Sequence, residues 1–169
     1  MKEFTEIYKL YSRELYNYIY YLTNDKTLTE ELVQETFFQA YISIHRFKGN
    51  SSIKTWLYQI GKYVYFKHQK KNPTIYDEIN ENNTEVVNLS SPSKLVEKKE
   101  ENLFLLQAIK LLNEPYKQVV ILRSFNDLSF KAIGDIFVKS ESWARVTFHR
   151  GIYKLRGIME KGDKFDKPL

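Results

Sequence analysis

Apolar positions recur at three- and four-residue intervals through most of the chain, the period of one helical face. In residues 3–22 the stripe is Phe4, Ile7, Tyr8, Tyr11, Leu15, Tyr18, Ile19 and Leu22, which predicts a first helix ended by "TNDKT". A second helix is expected over 28–44, with Val33, Phe37, Ala40, Tyr41 and Ile44 inward. "FKGNSS" breaks the period: Gly49 and Asn50 suit a turn, and Ser51 or Ser52 can cap the next helix. That third helix is expected over 53–70 on Ile53, Leu57, Ile60 and Val64.

Residues 72–93 differ: "NPTIYDEINENNTEVVNLSSPS" holds two prolines and no Lys or Arg, and it sustains no period. Such a segment reads as a linker, with a short strand over 85–89 as the alternative. Helical spacing returns near Leu95, with Leu103, Leu106, Ile109 and Leu112 as its stripe. Asn113 is a candidate cap for the helix carrying "YKQVVILRSF", and Ser129 for "FKAIGDIF". The expected fold is all-α: two small helical bundles joined by a flexible linker.

"VKSESWARVTFHR", residues 138–150, invites two readings. Strand alternation fails beyond Phe148, whereas Ala144, Phe148, Gly151 and Leu155 share one helical face. Ser142, Arg145, Val146 and His149 share the opposite face, and Ser140 can cap the helix. With the short helix over 130–137, whose Ala132 or Ile133 and Ile136 face inward, this makes a helix-turn-helix pair. The first turns of the second helix would then enter the major groove. Arg145 could bond guanine bidentately, while Arg150, Lys154 and Arg156 suit phosphates. The same pattern fits an amphipathic helix with a solvated face, and Val138 at the joint, where glycine is usual, counts against the motif.

Two further faces stand apart from the core stripes. Glu31, Gln34, Glu35 and Phe38 share one side of the second helix, a mixture suited to a protein contact or to a solvated face. On the third helix Gln59, Lys62, Tyr63, Phe66 and Lys70 line one side, with Lys67 and Lys71 nearby. Cations interleaved with aromatics suit unpaired bases, where charge holds the backbone and rings stack. The polar loop before that helix could pocket an extruded base, while Trp56 is expected in the core.

Composition narrows the classes. The 169 residues carry a formal net charge of +5, which favours an anionic partner. There is no cysteine, which excludes disulfides and Cys-ligated zinc. The first residues are broken by charges and do not read as a signal peptide, and no apolar run reaches the ~18 residues of a membrane span. His45, His68 and His149 are far apart in sequence, and no phosphate-cradling glycine loop, metal motif or nucleophile elbow occurs. No enzyme activity, cofactor or metal is expected.

"TEELVQETFFQAYISIHRFKGNSSIKTWLYQIGKY" resembles the second conserved region of bacterial sigma factors of the extracytoplasmic-function (ECF) type, in the sigma-70 family. "LLNEPYKQVVILRSFNDLSFKAIGDIFVKSESWARVTFHRGIYKLR" resembles their fourth region. The resemblance implies region 2 over 1–71, a linker over 72–94, region 4 over 95–161 and a tail over 162–169. It implies that Glu31, Leu32, Gln34, Glu35 and Phe38 bind core RNA polymerase at the β′ clamp helices. Phe47, Lys48, Gly49, Asn50, Ser51, Gln59, Lys62, Tyr63, Phe66, Lys67 and Lys70 would recognise and help melt the −10 promoter element. Ser140, Ser142, Trp143, Arg145, Val146, His149, Arg150 and Lys154 would read the −35 element, with this region also packing on the β flap. The implied protein is cytoplasmic, does not insert in the membrane, and is held inactive by an anti-sigma factor that is often membrane-anchored.

The chain departs from the family pattern at several points. Tyr63 replaces an Asn, Val138 the joint Gly, and Gly151 the Ala of a frequent "RA" pair. Trp143 flanks the groove face and could equally close over the first helix of the pair. The alternative is a stand-alone helix-turn-helix regulator with an N-terminal dimerising or sensing bundle. A polymerase-binding adaptor that never reads DNA is a third class.

Overall fold

The computed structural model describes residues 2–72 and 95–165. Among them the structure is helical throughout: α1 (Lys2–Thr23), α2 (Lys26–Ser43), a 3₁₀ turn (Ile44–Arg46), α3 (Ile53–Lys71), α4 (Leu95–Lys110), α5 (Tyr116–Ser124), α6 (Phe130–Phe137) and α7 (Glu141–Phe165). The all-α expectation holds. The linker and its strand alternative lie outside the described residues apart from Asn72. The last helix runs into the stretch expected as a tail.

Short polar side chains set the helix starts. Asp25 Oδ1 accepts from the Leu28 amide at 3.0 Å and caps α2. Ser52, rather than Ser51, caps α3 through the Thr55 amide at 3.1 Å. Ser129 caps α6 and Ser140 caps α7, through the amides of Ala132 (3.1 Å) and Trp143 (3.0 Å). Each satisfies one of the donors a helix start leaves free. Asn113 does not act this way. Helix α5 starts at Tyr116 after Pro115, whose side chain makes no cap bond, and Asn113 contributes only its carbonyl, to the Lys117 amide at 3.1 Å. The residue before a proline is disfavoured in the helical region, so Glu114 does not continue a helix begun at Asn113 and α5 starts after Pro115.

The stripes read from the sequence form the core. Leu15, Tyr18, Ile19, Val33, Phe37, Ala40, Leu57 and Val64 are buried in the first bundle, and Ile109, Leu112, Ile133, Ile136, Ala144 and Leu155 in the second. Tyr8 and Tyr41, placed on inward stripes, are half exposed instead. Their rings pack edge-on against Phe37 and Phe4 respectively. A tyrosine can bury one ring edge and leave its hydroxyl in water.

The buried residues of both bundles form one continuous cluster. Helices α1 and α3 pack on α5 and α6. Tyr21 stacks on Phe125 at 4.3 Å, the Tyr18 hydroxyl donates to Gln118 Oε1, and Asn126 Nδ2 donates to the Glu14 carbonyl (3.1 Å) and the Tyr58 hydroxyl (3.0 Å).

Candidate nucleic-acid interface

The helix-turn-helix geometry is complete. Helix α6 ends at Val138, which adopts the left-handed conformation (φ 55°, ψ 46°), and α7 starts three residues later. The valine that counted against the motif therefore takes the conformation for which glycine is the usual residue. Gly134 supplies the close approach the joint needs: a Cβ there would lie 2.8 Å from the Lys139 carbonyl oxygen and 2.9 Å from that of Ser140. Gly151 has a similar reason, since its Cβ would lie 2.7 Å from Val120 Cγ2 on α5.

Helix α7 divides as its sequence predicts. Ala144, Gly151 and Leu155 are buried and Phe148 is partly buried, whereas Ser142, Arg145, Val146, His149, Arg150 and Lys154 are exposed, as is the cap Ser140. Arg145 Nη2 lies 3.1 Å from Glu141 Oε1, one turn back, and its guanidinium sits 5.3 Å from the Phe130 ring centre. Lys154 Nζ lies 5.1 Å from the Tyr116 ring centre. Trp143 is partly buried, its ring 5.3 Å from that of Phe137, so it closes over the end of α6.

The face on α3 is split. Tyr63, Lys67 and Lys70 are exposed, while Phe66 packs partly against the core. Gln59 and Lys62 turn to the second bundle: Gln59 Nε2 donates to the Asp135 carbonyl at 2.7 Å, and Lys62 Nζ sits 4.4 Å from the Phe137 ring centre. Burial pushes the Lys62 ammonium pKa down, and the charge of Glu114 pulls it partly back. In the preceding loop Gly49 takes φ 74°, and Phe47, Lys48, Asn50 and Ser51 border a cleft of about 550 Å³.

Trp56, expected in the core, packs against it but is only partly buried. It borders this cleft and packs 5.2 Å from the Phe47 ring. Arg46 also borders it and was not singled out from the sequence. The signal for Trp56 was present: residues 56, 59 and 63 follow i, i+3, i+7, the spacing of one helical face.

On α2, Glu31, Gln34, Glu35 and Phe38 are exposed, Phe38 at 56%. Glu35 Oε1 accepts from Gln39 Nε2 at 2.7 Å. Leu32 is buried at 5%, so it supports this face from below. Among the described residues no group of His, Cys, Asp or Glu could hold a metal ion, and no helix is long and apolar enough to cross a membrane.

Residues 7–72 match the family model for sigma-70 region 2. Similar curated proteins span almost the whole chain. The ECF RNA polymerase sigma factor SigM of Bacillus subtilis is 31% identical over 93% of this chain and 95% of its own. SigX of the same organism is 32% identical over 93% of this chain and 84% of its own. Among solved structures, the sigma factor RpoE in complex with the anti-sigma factor NepR from Bartonella quintana aligns with a TM-score of 0.74 at 16% identity, covering 95% of this chain and 98% of that one. CnrH in complex with the cytosolic domain of CnrY aligns at 0.72 and 14% identity, covering 95% and 89%. Both share the fold of this chain. With relatives above 30% identity along nine-tenths of its length, the chain belongs to the ECF RNA polymerase sigma factors.

Proposed function

We propose that this sigma factor divides its work among the three surfaces described above. Residues 1–71 act as region 2 and 95–161 as region 4, joined through 72–94. Glu31, Gln34, Glu35 and Phe38 on α2 dock on the β′ clamp helices of core RNA polymerase. The loop from Phe47 to Ser51 and the α3 face with Gln59, Lys62, Tyr63, Lys67 and Lys70 take the −10 element. Tyr63 offers an exposed ring beside Lys67, whose Nζ lies 6.0 Å from the ring centre, so stacking and backbone charge meet at one place. Stacking on an aromatic contributes about 1–3 kcal/mol per base. Tyr63 thus substitutes ring contact for the amide contacts of the Asn usual in the family.

Helix α7 reads the −35 element in the major groove, with Arg145 as its strongest base reader and Arg150 and Lys154 on phosphates. The observation that carries this reading is the capped α7. Its small and apolar residues are buried on α5 and α6, while Ser142, Arg145, Val146 and His149 stand outward. A bidentate Arg–guanine pair discriminates by about 1–3 kcal/mol. On this reading the chain selects promoters and makes or breaks no covalent bond, so no catalytic residue is assigned. We further propose a cytoplasmic location, contact of region 4 with the β flap, and control by an anti-sigma factor. The sigma factor RpoE was solved with an anti-sigma factor bound, NepR.

Two variants separate the surfaces. Glu35→Arg weakens binding to core polymerase at least ~10-fold, as expected for a reversed charge on a docking face. Arg145→Ala leaves core binding intact and lowers initiation from −35-dependent promoters by about tenfold or more. Core affinity unchanged in the first variant removes the clamp assignment. Initiation unchanged across −35 variants in the second removes the reading face.

A further inference from the structure

We infer that Glu141 is a further specificity-determining residue: its carboxylate accepts a hydrogen bond from the exocyclic amine of a cytosine within one base pair of the guanine that Arg145 takes. The inference rests on the promoter reading of α7 and adds to it one residue and one base. Between residues 138 and 159 Glu141 is the one acid, set among Lys139, Arg145, Arg150, Lys154 and Arg156. An acid on a face that approaches DNA is repelled by the phosphates unless it finds partners there.

One partner is in place before DNA arrives. Glu141 Oε1 accepts from Arg145 Nη2 at 3.1 Å, and both side chains are half exposed. The Arg145 head is bounded on another side by the Phe130 ring, whose centre lies 5.3 Å away. Arg123 sits 4.4 Å from the same ring centre, fixed by its bond to the Leu128 carbonyl at 2.9 Å. Two guanidiniums beside one ring repel each other, and the Glu141 carboxylate offsets that repulsion. A guanidinium has five N–H donors, so Arg145 can give two to guanine O6 and N7 and keep its bond to Glu141.

The second carboxylate oxygen is then available to a base. Glu141 precedes Arg145 by four residues, about 6 Å along the helix axis, and base pairs are spaced ~3.4 Å apart. Two heads that stay joined therefore meet the same base pair or neighbouring ones. In the major groove guanine shows N7 and O6, thymine O4 and adenine N7, all acceptors that repel a carboxylate oxygen. Cytosine alone shows a donor, N4, with no acceptor beside it. The pair of side chains thus selects a guanine through Arg145 and a cytosine through Glu141.

The test reconstitutes the full chain with core polymerase and reads initiation from a promoter library randomised across the −35 element. Glu141→Ala and Glu141→Gln are run beside the wild type, and initiation is normalised to the fraction of polymerase bound. In the wild type, replacing the cytosine next to the preferred guanine lowers initiation about tenfold, the loss of one good base contact. In Glu141→Ala that penalty disappears while the guanine preference remains. Glu141→Gln, whose amide both donates and accepts, keeps initiation from the cytosine promoter and raises it from the adenine one. A cytosine penalty of equal size in the wild type and Glu141→Ala overturns the inference. So does a change that is uniform across the library, the mark of a charge acting on phosphates alone. A guanine preference with no cytosine beside it keeps α7 as the reader and removes Glu141. A wild type indifferent to the whole element removes the promoter reading itself, and this inference with it.

Discussion

Val138 holds a backbone conformation that β-branched residues avoid. At φ 55° its Cβ crowds the following carbonyl, and the side chain is 84% exposed, so no packing contact offsets the strain. The backbone path is fixed by its neighbours, because the amides of Val138 and Lys139 bond back to the Asp135 and Gly134 carbonyls at 3.3 and 2.8 Å. Val138→Gly relieves the strain and adds backbone freedom to the unfolded chain. The net effect is a protein about 1 kcal/mol more stable, read as a higher urea midpoint with unchanged slope. Tyr63 supports the opposite kind of experiment. It is 60% exposed, so Tyr63→Ala leaves stability within ~0.5 kcal/mol. If its ring stacks on a base, the same change lowers single-strand affinity by about 1–3 kcal/mol. Equal affinity in titrations of the two proteins would remove Tyr63 from the DNA surface.

Helix α7 shows at the scale of an element how one residue type has two meanings. A Cβ at Gly151 would lie 2.7 Å from Val120 Cγ2, whereas a Cβ at Gly157 would meet nothing within 4 Å. Gly151→Ala therefore forces α7 off α5 and costs about 1–3 kcal/mol, while Gly157→Ala gains roughly 0.5–1 kcal/mol of helix propensity. Thermal melts of the two variants should move in opposite directions. The helices themselves were legible because apolar period and cap residues agree: Ser129 and Ser140 cap as expected. Asn113 misled because proline two residues on overrides a cap signal. The helix-turn-helix was legible although Val138 lacks the glycine signature, since the αL requirement is one of backbone and the stripe of Ala144, Phe148 and Leu155 does not depend on it. The cleft role of Trp56 was missed because its spacing is shared: it lies at i, i+3 and i+7 with Gln59 and Tyr63, and equally within three and four residues of Ile53 and Ile60 on the core stripe.

The least legible feature belongs to the whole molecule. Tyr18, Gln118 and Asn126 meet their partners across 68 to 112 positions of sequence, and local periodicity cannot pair them. Their burial has a consequence in alkali. Burial raises the pKa of Tyr18 and Tyr58 above the usual 10.0, and it pushes Tyr65 up to about 12. A raised folded-state pKa leaves stability intact below the unfolded value and removes it as pH rises from that value through the folded one. Urea midpoints should hold up to about pH 10 and fall beyond it, more gently in Tyr18→Phe, which cannot ionise. At this same scale, the proposed reading joins a polymerase-docking face to two promoter-reading surfaces in one chain. Reconstitution with core RNA polymerase on genomic DNA, followed by sequencing of transcript 5′ ends, decides whether it holds. Discrete starts that share a paired −10 and −35 sequence are expected, and they are lost with Arg145→Ala or Glu35→Arg. Starts no more specific than those of core polymerase alone would mean that the chain does not select promoters.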